Sequence, residues 1–222
     1  DGFGSIGGAI TMHGDVQLIN STVHDNSAAS SSGSGGGIAT IQGNLQIVHS
    51  TITDNAATLG IGGGIIVMDN PMARLSIFNS IVAGNTDSGT APDFMPPPDA
   101  GRFLVRGSLI GDNTGTTLAE SQTVNSFGNI VGAPAPGGGL IDPMLGLLGN
   151  HGGPTPTRVP MAGSPAIDSG DNTLSVDPDD NALTSDQRGF VFLRNSDGTI
   201  AAGTVDMGAV EVQPPPAVPI TW

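Results

Sequence analysis

Apolar residues recur along this chain at fixed positions inside a repeated unit. Four similar phrases mark the unit: NSTVHDN at 20–26, HSTITDN at 49–55, NSIVAGN at 79–85 and GSLIGDN at 107–113. Apolar residues align in three columns when the phrases are superposed: Val16, Leu45, Leu75 and Phe103; Leu18, Ile47, Ile77 and Val105; Val23, Ile52, Val82 and Ile110. The nearly constant interval between phrases indicates an internal repeat, which determines the architecture.

Two polar columns accompany the apolar ones. One contains only serine, at Ser21, Ser50, Ser80 and Ser108, and the other only asparagine, at Asn26, Asn55, Asn85 and Asn113. Glycines open the first three units, in GGAI at 7–10 and in GGGI at 35–38 and 62–65. Identical polar residues at a fixed period are expected where side chains stack and hydrogen-bond along an axis, as in asparagine ladders.

The apolar segments within a unit are three to five residues long and alternate with polar residues, as strands do. Gly, Asn, Ser and Asp separate them, so no segment has the length of an ordinary helix. The pattern therefore predicts an all-β fold, a parallel β-helix with one coil of about 28–30 residues per repeat. A β-sandwich is the alternative, although it gives no reason for identical Ser and Asn columns.

Several motifs resemble known families. The units GGAI…NSTVHDNSA and GGGI…HSTITDNAA resemble the repeats of polymorphic outer-membrane proteins and related bacterial β-helix adhesins. The motifs LIDPMLGLLGNHGGPTPTRVP (140–160), GSPAIDSGD (163–171), SDQRGF (185–190) and VDMGAVE (205–211) resemble the choice-of-anchor Q domain of secreted β-helix proteins. The resemblance implies a right-handed solenoid, an extracellular or cell-surface location, and a structural charge pair between Asp168 and Arg188. It implies no reaction.

The pattern divides the chain into three parts. Residues 1–145 are expected to form the coils, which are regular to about 113 and interrupted by a Pro-rich surface loop at 90–101. Residues 146–211 lose the period and are expected to cap the open core. Residues 212–222 form a Pro-rich arm, which cannot be a helix or a central strand.

Composition narrows the classes of partner. The formal net charge is −14, there is no Lys, and the six cations are all Arg. Binding to a phosphate backbone or an anionic membrane needs clustered cations, so nucleic acid and anionic lipid are poor partners. No apolar run has the ~20 residues of a membrane span. With no Cys there is neither a disulfide framework nor thiol chemistry.

Catalytic residues are hard to find in this sequence. Asp25, Asp54 and Asp112 share a column that Gly84 interrupts, so a role in turns explains them better than a pair of catalytic carboxylates. The four histidines form no ligand pair, and Ser164 lacks a nucleophile-elbow context. A polysaccharide lyase or hydrolase, or a glycan-binding module, remains the alternative class, although aromatic residues make up only 4% of the chain.

One acidic segment could hold a cation. Asp177, Asp179 and Asp180 lie in VDPDDN (176–181), whose spacing is similar to the start of an EF-hand loop. The loop fails the motif at its sixth and twelfth positions, which are Ala182 and Arg188. Calcium binding is thus a weak candidate beside a solvated acidic loop, and no other cofactor is predicted.

The expected function is structural or adhesive, without catalysis and outside the cell. The first coil begins near residue 7 without a preceding cap, so its unpaired edge could template another chain. Head-to-tail contact between copies would build a filament. The arm, with Ile220 and Trp222 as anchors, could dock on a neighbour by strand addition. More coils upstream in a longer protein are the competing explanation for the bare edge.

Overall fold

The structure is a computed structural model that describes residues 6–29, 33–136, 138–194 and 203–213. It contains sixteen short β-strands and two 3₁₀ turns, Ala100–Arg102 and Asn172–Leu174. No α-helix occurs in the described ranges, and none of their residues forms a helix that is long and apolar enough to cross a membrane. The all-β prediction is therefore confirmed.

The strands follow the coils in order. The first coil contains β1 (Ile10–Met12), β2 (Val16–Ile19), β3 (Thr22–His24) and β4 (Ser27–Ala28). The second contains β5 (Ile38–Thr40), β6 (Asn44–Val48), β7 (Thr51–Thr53) and β8 (Ala56–Ala57). The third contains β9 (Ile65–Val67), β10 (Arg74–Phe78), β11 (Ile81–Ala83) and β12 (Thr86–Asp87). A partial fourth coil contains β13 (Phe94–Met95), β14 (Phe103–Arg106) and β15 (Leu109–Ile110), and β16 (Ile130–Val131) follows it.

Equivalent strands of successive coils pair in four sheets. Their orders are β1-β5-β9-β13, β2-β6-β10-β14, β3-β7-β11-β15-β16 and β4-β8-β12, and we name them sheets A, B, C and D. All the strand pairs are parallel. The chain is thus a parallel β-solenoid of about three coils, and the predicted fold class is confirmed.

The register confirms the three apolar columns. Val16 pairs with Leu45, Leu45 with Leu75, and Leu75 with Phe103. The other two columns pair in the same way in sheets B and C. Their side chains fill one core, in which Leu45, Ile47, Ile52, Leu75 and Ile77 are almost completely buried. Because each coil buries its apolar residues on its neighbours, only stacked coils are stable.

The glycines allow coils to approach closely at one corner. Gly35 and Gly62 have φ of 72° and 71°, a left-handed conformation in which other residues are strained. At Gly36 a Cβ atom would lie 2.3 Å from the carbonyl oxygen of Gly63 in the next coil. The GGG motifs therefore serve backbone packing.

The Pro-rich segment was wrongly predicted to be a surface loop. Its residues Phe94–Met95 form β13, which pairs with β9 and extends sheet A. Phe94 is fully buried in the main core and meets Phe103 edge-on, with ring centroids 6.2 Å apart. The apolar pair within the segment outweighs its prolines, since proline is tolerated at strand ends.

The C-terminal region packs along the side of the solenoid. Asn79 Nδ2 donates to the carbonyl oxygen of Asp171, and the Ala209 amide donates to Thr51 Oγ1 on sheet C. A second apolar cluster joins the outer face of this sheet, at Ile81 and Leu109, to Ala166 and Met207. The described residues 142–194 and 203–213, which we name the lateral layer, thus pack on sheet C. The capping role expected of residues 146–211 stays a prediction.

Candidate functional site

The asparagine column forms a continuous ladder through the first three coils. Asn26 Nδ2 donates to Asn55 Oδ1 over 2.9 Å, and Asn55 Nδ2 donates to Asn85 Oδ1 over 3.0 Å. The backbone amides of Asn26 and Asn55 donate to the same oxygens. Each of these two asparagines therefore donates to the rung in the next coil, and Asn55 and Asn85 accept from the rung in the previous coil.

Asn113 does not extend the ladder, as the repeat had suggested it would. Its side chain donates instead to the carbonyl oxygen of Leu118, and Asn85 donates to Asp93 Oδ1 over 3.0 Å. Asp93 belongs to the inserted strand segment, eight residues after Asn85, and its side chain is buried. In its ionised form the carboxylate only accepts hydrogen bonds, so it can end the ladder without a further rung.

The serine column forms a second ladder with the same polarity. The amides of Ser21, Ser50 and Ser80 donate to the hydroxyl oxygen of the serine in the next coil, over 3.0–3.2 Å. The Ser108 amide donates to Asn129 Oδ1, so Asn129 ends this ladder. The NSFGN segment (125–129) thus supplies, through Asn129, the last acceptor of the serine ladder.

The residues before the two ladders hold left-handed backbone conformations. Before the serines stand Asn20, His49, Asn79 and Gly107, with φ of 48°, 45°, 46° and 59°. Before the asparagines stand Asp25, Asp54 and Gly84, with φ of 56°, 56° and 72°. Asn, Asp and Gly tolerate this region best, which explains why Gly84 substitutes for Asp. The geometry is that of turns, as the sequence had suggested.

The first coil presents an open end. Its strands β1, β2, β3 and β4 are the terminal members of their sheets. Within the described residues, Ser21 Oγ and Asn26 Oδ1 accept no hydrogen bond, although their equivalents in the next coils do. The core side chains Val16 and Leu18 are only partly buried, in contrast to Leu45 and Ile47. This end therefore offers acceptors and apolar surface to another coil or strand.

The opposite end is covered. Asp93 Oδ2 accepts the amide of Asp112 over 2.7 Å, so both carboxylate oxygens of the last ladder rung are used. Ser121 bridges to Val131 in β16, and Leu118 packs against the main core. One end of the solenoid is thus open and the other covered. The repeats alone could not reveal this difference, because every repeat has nearly the same sequence.

Burial gives Asp93 an unusual titration. Desolvation raises its pKa from 3.8 to about 7, although the amides of Asn85 and Asp112 act in the other direction. In the unfolded chain the pKa returns to its ordinary value, so the folded state binds the proton more tightly. The stabilisation is complete at low pH and is lost as the pH rises through about 7.

The Asp93 titration can be isolated with a variant. Relative to Asp93→Asn, the wild-type free energy of unfolding should fall by about 2 kcal/mol between pH 5.5 and 7.5, because one pKa unit corresponds to about 1.4 kcal/mol. Urea titrations at several pH values measure this difference. Asp142→Asn, at an exposed carboxylate that lines a cleft together with Asp93, should show the wild-type slope. Parallel pH curves for wild type and Asp93→Asn would contradict the assignment.

A buried charge network fastens the lateral layer to the first coil. Arg194, fully buried, donates to Glu211 Oε2 over 3.3 Å and to Asn20 Oδ1 over 3.0 Å. Arg188 pairs with Asp186 Oδ2 at 2.6 Å and stacks 3.9 Å from the centroid of the Phe192 ring. The inferred pair between Asp168 and Arg188 is therefore wrong. Asp168 donates its backbone amide to Asp206 Oδ1 instead.

Burial changes the pKa of several groups in this network. Desolvation lowers the pKa of Arg194 to about 10, opposed by the carboxylates of Glu211, Asp186 and Asp206, so the guanidinium stays charged at neutral pH. Desolvation raises the pKa of Asp206. His49 is fully buried, and desolvation followed by the Arg194 charge holds its pKa well below 6.5. These groups form structural contacts between the layer and the coils.

A cleft of about 580 Å³ lies at the open end, between the first coil and the lateral layer. Its floor is the edge of β3 with the flanking residues Ser21 and Asn26, and its wall is formed by Leu148, Thr155, Pro156 and Gln187. Gln187 Oε1 accepts the Thr22 hydroxyl, which holds the wall against the strand. His24, also in the cleft, lies 3.1 Å from Asp54 Oδ2, which Arg158 contacts as well.

A second cleft, of about 410 Å³, lies on the outer face of sheet B. Gln17 and Gln46, which pair in register, form its floor together with Phe78, and Asp177 and Asp180 stand on the loop beside it. Of the features found, this cleft comes closest to the aromatic and acidic groove expected for a glycan. It has one aromatic ring.

In the acidic loop at 176–181, the Asp177 carboxylate accepts hydrogen bonds from the loop's own backbone. Asp177 Oδ1 accepts the amides of Asp179 and Asn181 over 2.9 and 2.8 Å, and the Asn181 contacts lower the pKa of Asp177. Asp180 has a left-handed φ of 60°. In the described ranges, no group of three or more His, Asp or Glu side chains is arranged to hold a metal ion. Ile220 and Trp222, the predicted assembly anchors, lie outside the described residues.

Sequence reasoning missed several residues of these sites. Asp93, Asn129, Asp186, Arg194 and Glu211 all stand outside the repeat columns. Arg188 and Arg194 lie near each other in the sequence, but Arg102 and Arg106 lie closer still, so arginine spacing gave no distinctive signal for the charge network. Comparisons with protein families, curated proteins and solved structures found no match to this chain.

Proposed function

We propose that the protein is a non-catalytic structural or adhesive β-solenoid module, which acts outside the cell or on the cell surface and associates with copies of itself. The observation that carries the proposal is the open first coil: among the described residues its four strands have no neighbour on their outer edges, and its two ladder oxygens accept no hydrogen bond. The resemblance of the sequence motifs to bacterial surface proteins supports the location.

The larger side-chain clusters serve structural roles, which also supports the proposal. Asp25 and Asp54 lie at turns, His49 is buried, and the two buried arginines join the lateral layer to itself and to the coils. Glycan binding or cleavage is the alternative, and the cleft with Gln17, Gln46 and Phe78 is its candidate location.

Self-association can be tested by light scattering over a range of concentrations together with electron microscopy. We expect masses above the 22.1 kDa of a single chain, rising with concentration, and the head-to-tail filament predicted from the sequence would be visible directly. The mass of a single chain at every concentration would contradict the proposal. Binding or cleavage of soluble polysaccharides by such a monomer would favour the glycan alternative.

A further inference from the structure

His49 is the only one of the four histidines that is completely buried. It stands in the second coil, in the column of left-handed residues that also contains Asn20 and Asn79. Its Nε2 atom lies 2.8 Å from Ser175 Oγ of the lateral layer and 3.2 Å from Asn79 Nδ2 of the third coil. The imidazole ring therefore lies at the junction where the layer meets the coils.

The side chain of Asn79 determines which form of the histidine fits this junction. Asn79 Oδ1 accepts the amide of Asp171, and Asn79 Nδ2 donates to the Asp171 carbonyl oxygen, both over 2.8 Å. These two bonds fix the orientation of the amide, because exchanging its oxygen and nitrogen would set donor against donor and acceptor against acceptor. The second hydrogen of Nδ2 is then available to His49 Nε2. That nitrogen must accept, so the ring is neutral and carries its hydrogen on Nδ1.

Protonation of His49 conflicts with this arrangement. A charged imidazole has a donor on both nitrogens, so Nε2 would oppose the Asn79 donor instead of accepting it. Burial acts in the same direction: desolvation and then the Arg194 charge hold the pKa of His49 well below 6.5, although backbone groups of Asp206 and Gly208 act in the other direction. The closed junction therefore excludes the charged form.

The charged groups around the junction leave this conflict in place in mild acid. Arg194, fully buried, is the cation that opposes a charged His49. It keeps its own charge at any pH below its pKa of about 10, supported by the carboxylates of Glu211, Asp186 and Asp206. Asp171 uses its carboxylate within its own turn, as an acceptor for Thr173. The column neighbours of His49 on the coils, Asn20 and Asn79, carry no charge.

The pH dependence of the junction has a definite sign. When the layer opens, His49 meets water and its pKa returns to 6.5, so the open state takes up a proton before the closed state does. The stabilisation that a neutral His49 gives is complete well above pH 6.5 and is lost as the pH falls below 6.5. Because one proton is bound on opening, the open population rises by up to about tenfold per pH unit.

We propose that His49 is an acid-sensitive latch, whose protonation releases the lateral layer from the second and third coils while the coils stay stacked. The coils are joined by Asn and Ser side chains, which do not titrate. Release uncovers the apolar outer face of sheet C at Ile81 and Leu109, which the layer covers with Ala166 and Met207. The latch goes beyond the proposed self-association and does not depend on it.

Hydrogen exchange between pH 7.5 and 4.5, corrected for the intrinsic pH dependence of exchange, tests the latch in the wild-type chain. The probes are the amides of Met207 and Gly208, which donate to the carbonyl oxygens of Ala166 and Asn79. We expect their exchange to accelerate by up to about tenfold per pH unit below 6.5, with no such acceleration for amides of β6 and β10. Titration of the His49 ring, followed by NMR, should show protonation together with this opening.

Two variants separate His49 from other groups that titrate in acid. His49→Asn introduces the residue that the same column has at Asn20 and Asn79, so it suits the left-handed backbone and does not titrate. We expect the acid acceleration to disappear in this variant and to persist in His13→Asn, at an exposed histidine. An equal acceleration in His49→Asn and wild type would overturn the latch. A His49 ring that becomes charged without faster exchange at 207 and 208, or coils that open together with the layer, would overturn it as well.

Discussion

Replacing Asn55 with alanine should lower the free energy of unfolding by about 4 kcal/mol, because it leaves several buried polar groups without partners at about 1–3 kcal/mol each. Asn55 is the central rung of the asparagine ladder and is completely buried. Its Nδ2 group donates to the carbonyl oxygens of Val23 and Thr53 and to Asn85 Oδ1, and its Oδ1 atom accepts from Asn26. Urea denaturation followed by circular dichroism measures the loss.

Asn26→Ala is the matched control for this prediction. Asn26 occupies the same column but stands at the open end, where it is only partly buried and water can replace its contacts. We expect this variant to lose about 1 kcal/mol. Equal losses for the two variants would show that the ladder does not derive its strength from burial between coils.

Replacing Arg194 with methionine should destabilise the lateral layer by about 3–5 kcal/mol, because a buried charge that loses its partner is strongly unfavourable. The guanidinium is fully buried and contacts Glu211, the Gly208 carbonyl oxygen and Asn20. Methionine fills much of the volume but leaves the Glu211 carboxylate without this cation. Chemical denaturation should show the loss, and limited proteolysis should cut residues 142–213 faster than in the wild type.

Arg102→Met tests whether burial of the ion pair causes the loss of stability expected for Arg194→Met. Arg102 also pairs with carboxylates, Asp69 and Asp99, but both partners are exposed to solvent. Exposed ion pairs contribute at most about 1 kcal/mol, so this variant should stay close to the wild type. If Arg194→Met is equally mild, the lateral layer does not depend on the charge network.

The fold could be predicted from the repeats because stacking imposes the same environment on every coil. Val23, Ile52 and Val82 pair in register in sheet C, so the core selects an aliphatic residue each time. The lateral layer could not be placed, since its contacts join residues such as Asn20 and Arg194, which are distant in sequence and do not recur. Phe94 was not predicted to be a core residue because prolines surround it in the sequence. Its complete burial in the main core nevertheless makes its segment part of the solenoid.

The two ladders and their ends could be predicted only in part from the sequence, because the residues that differ between the two ends do not recur. The Ser and Asn columns indicated two ladders, but the two ends of each ladder differ only through single residues outside the repeat. Asp93 and Asn129 end the ladders on one side, whereas on the other side Ser21 Oγ and Asn26 Oδ1 accept no hydrogen bond from the part of the chain that the structure describes. Recognising an open and a covered end therefore required the structure.

Hydrogen exchange at low and high protein concentration tests the central claim most directly. The account predicts that amides of residues 20–26, at the open edge, exchange more slowly as the concentration rises, because a second copy covers them. Amides of β7 and β11 inside the stack should be protected at every concentration, and residues 114–131 should not change. Protection of residues 20–26 that is independent of concentration, or new protection at 114–131 instead, would contradict association through the first coil.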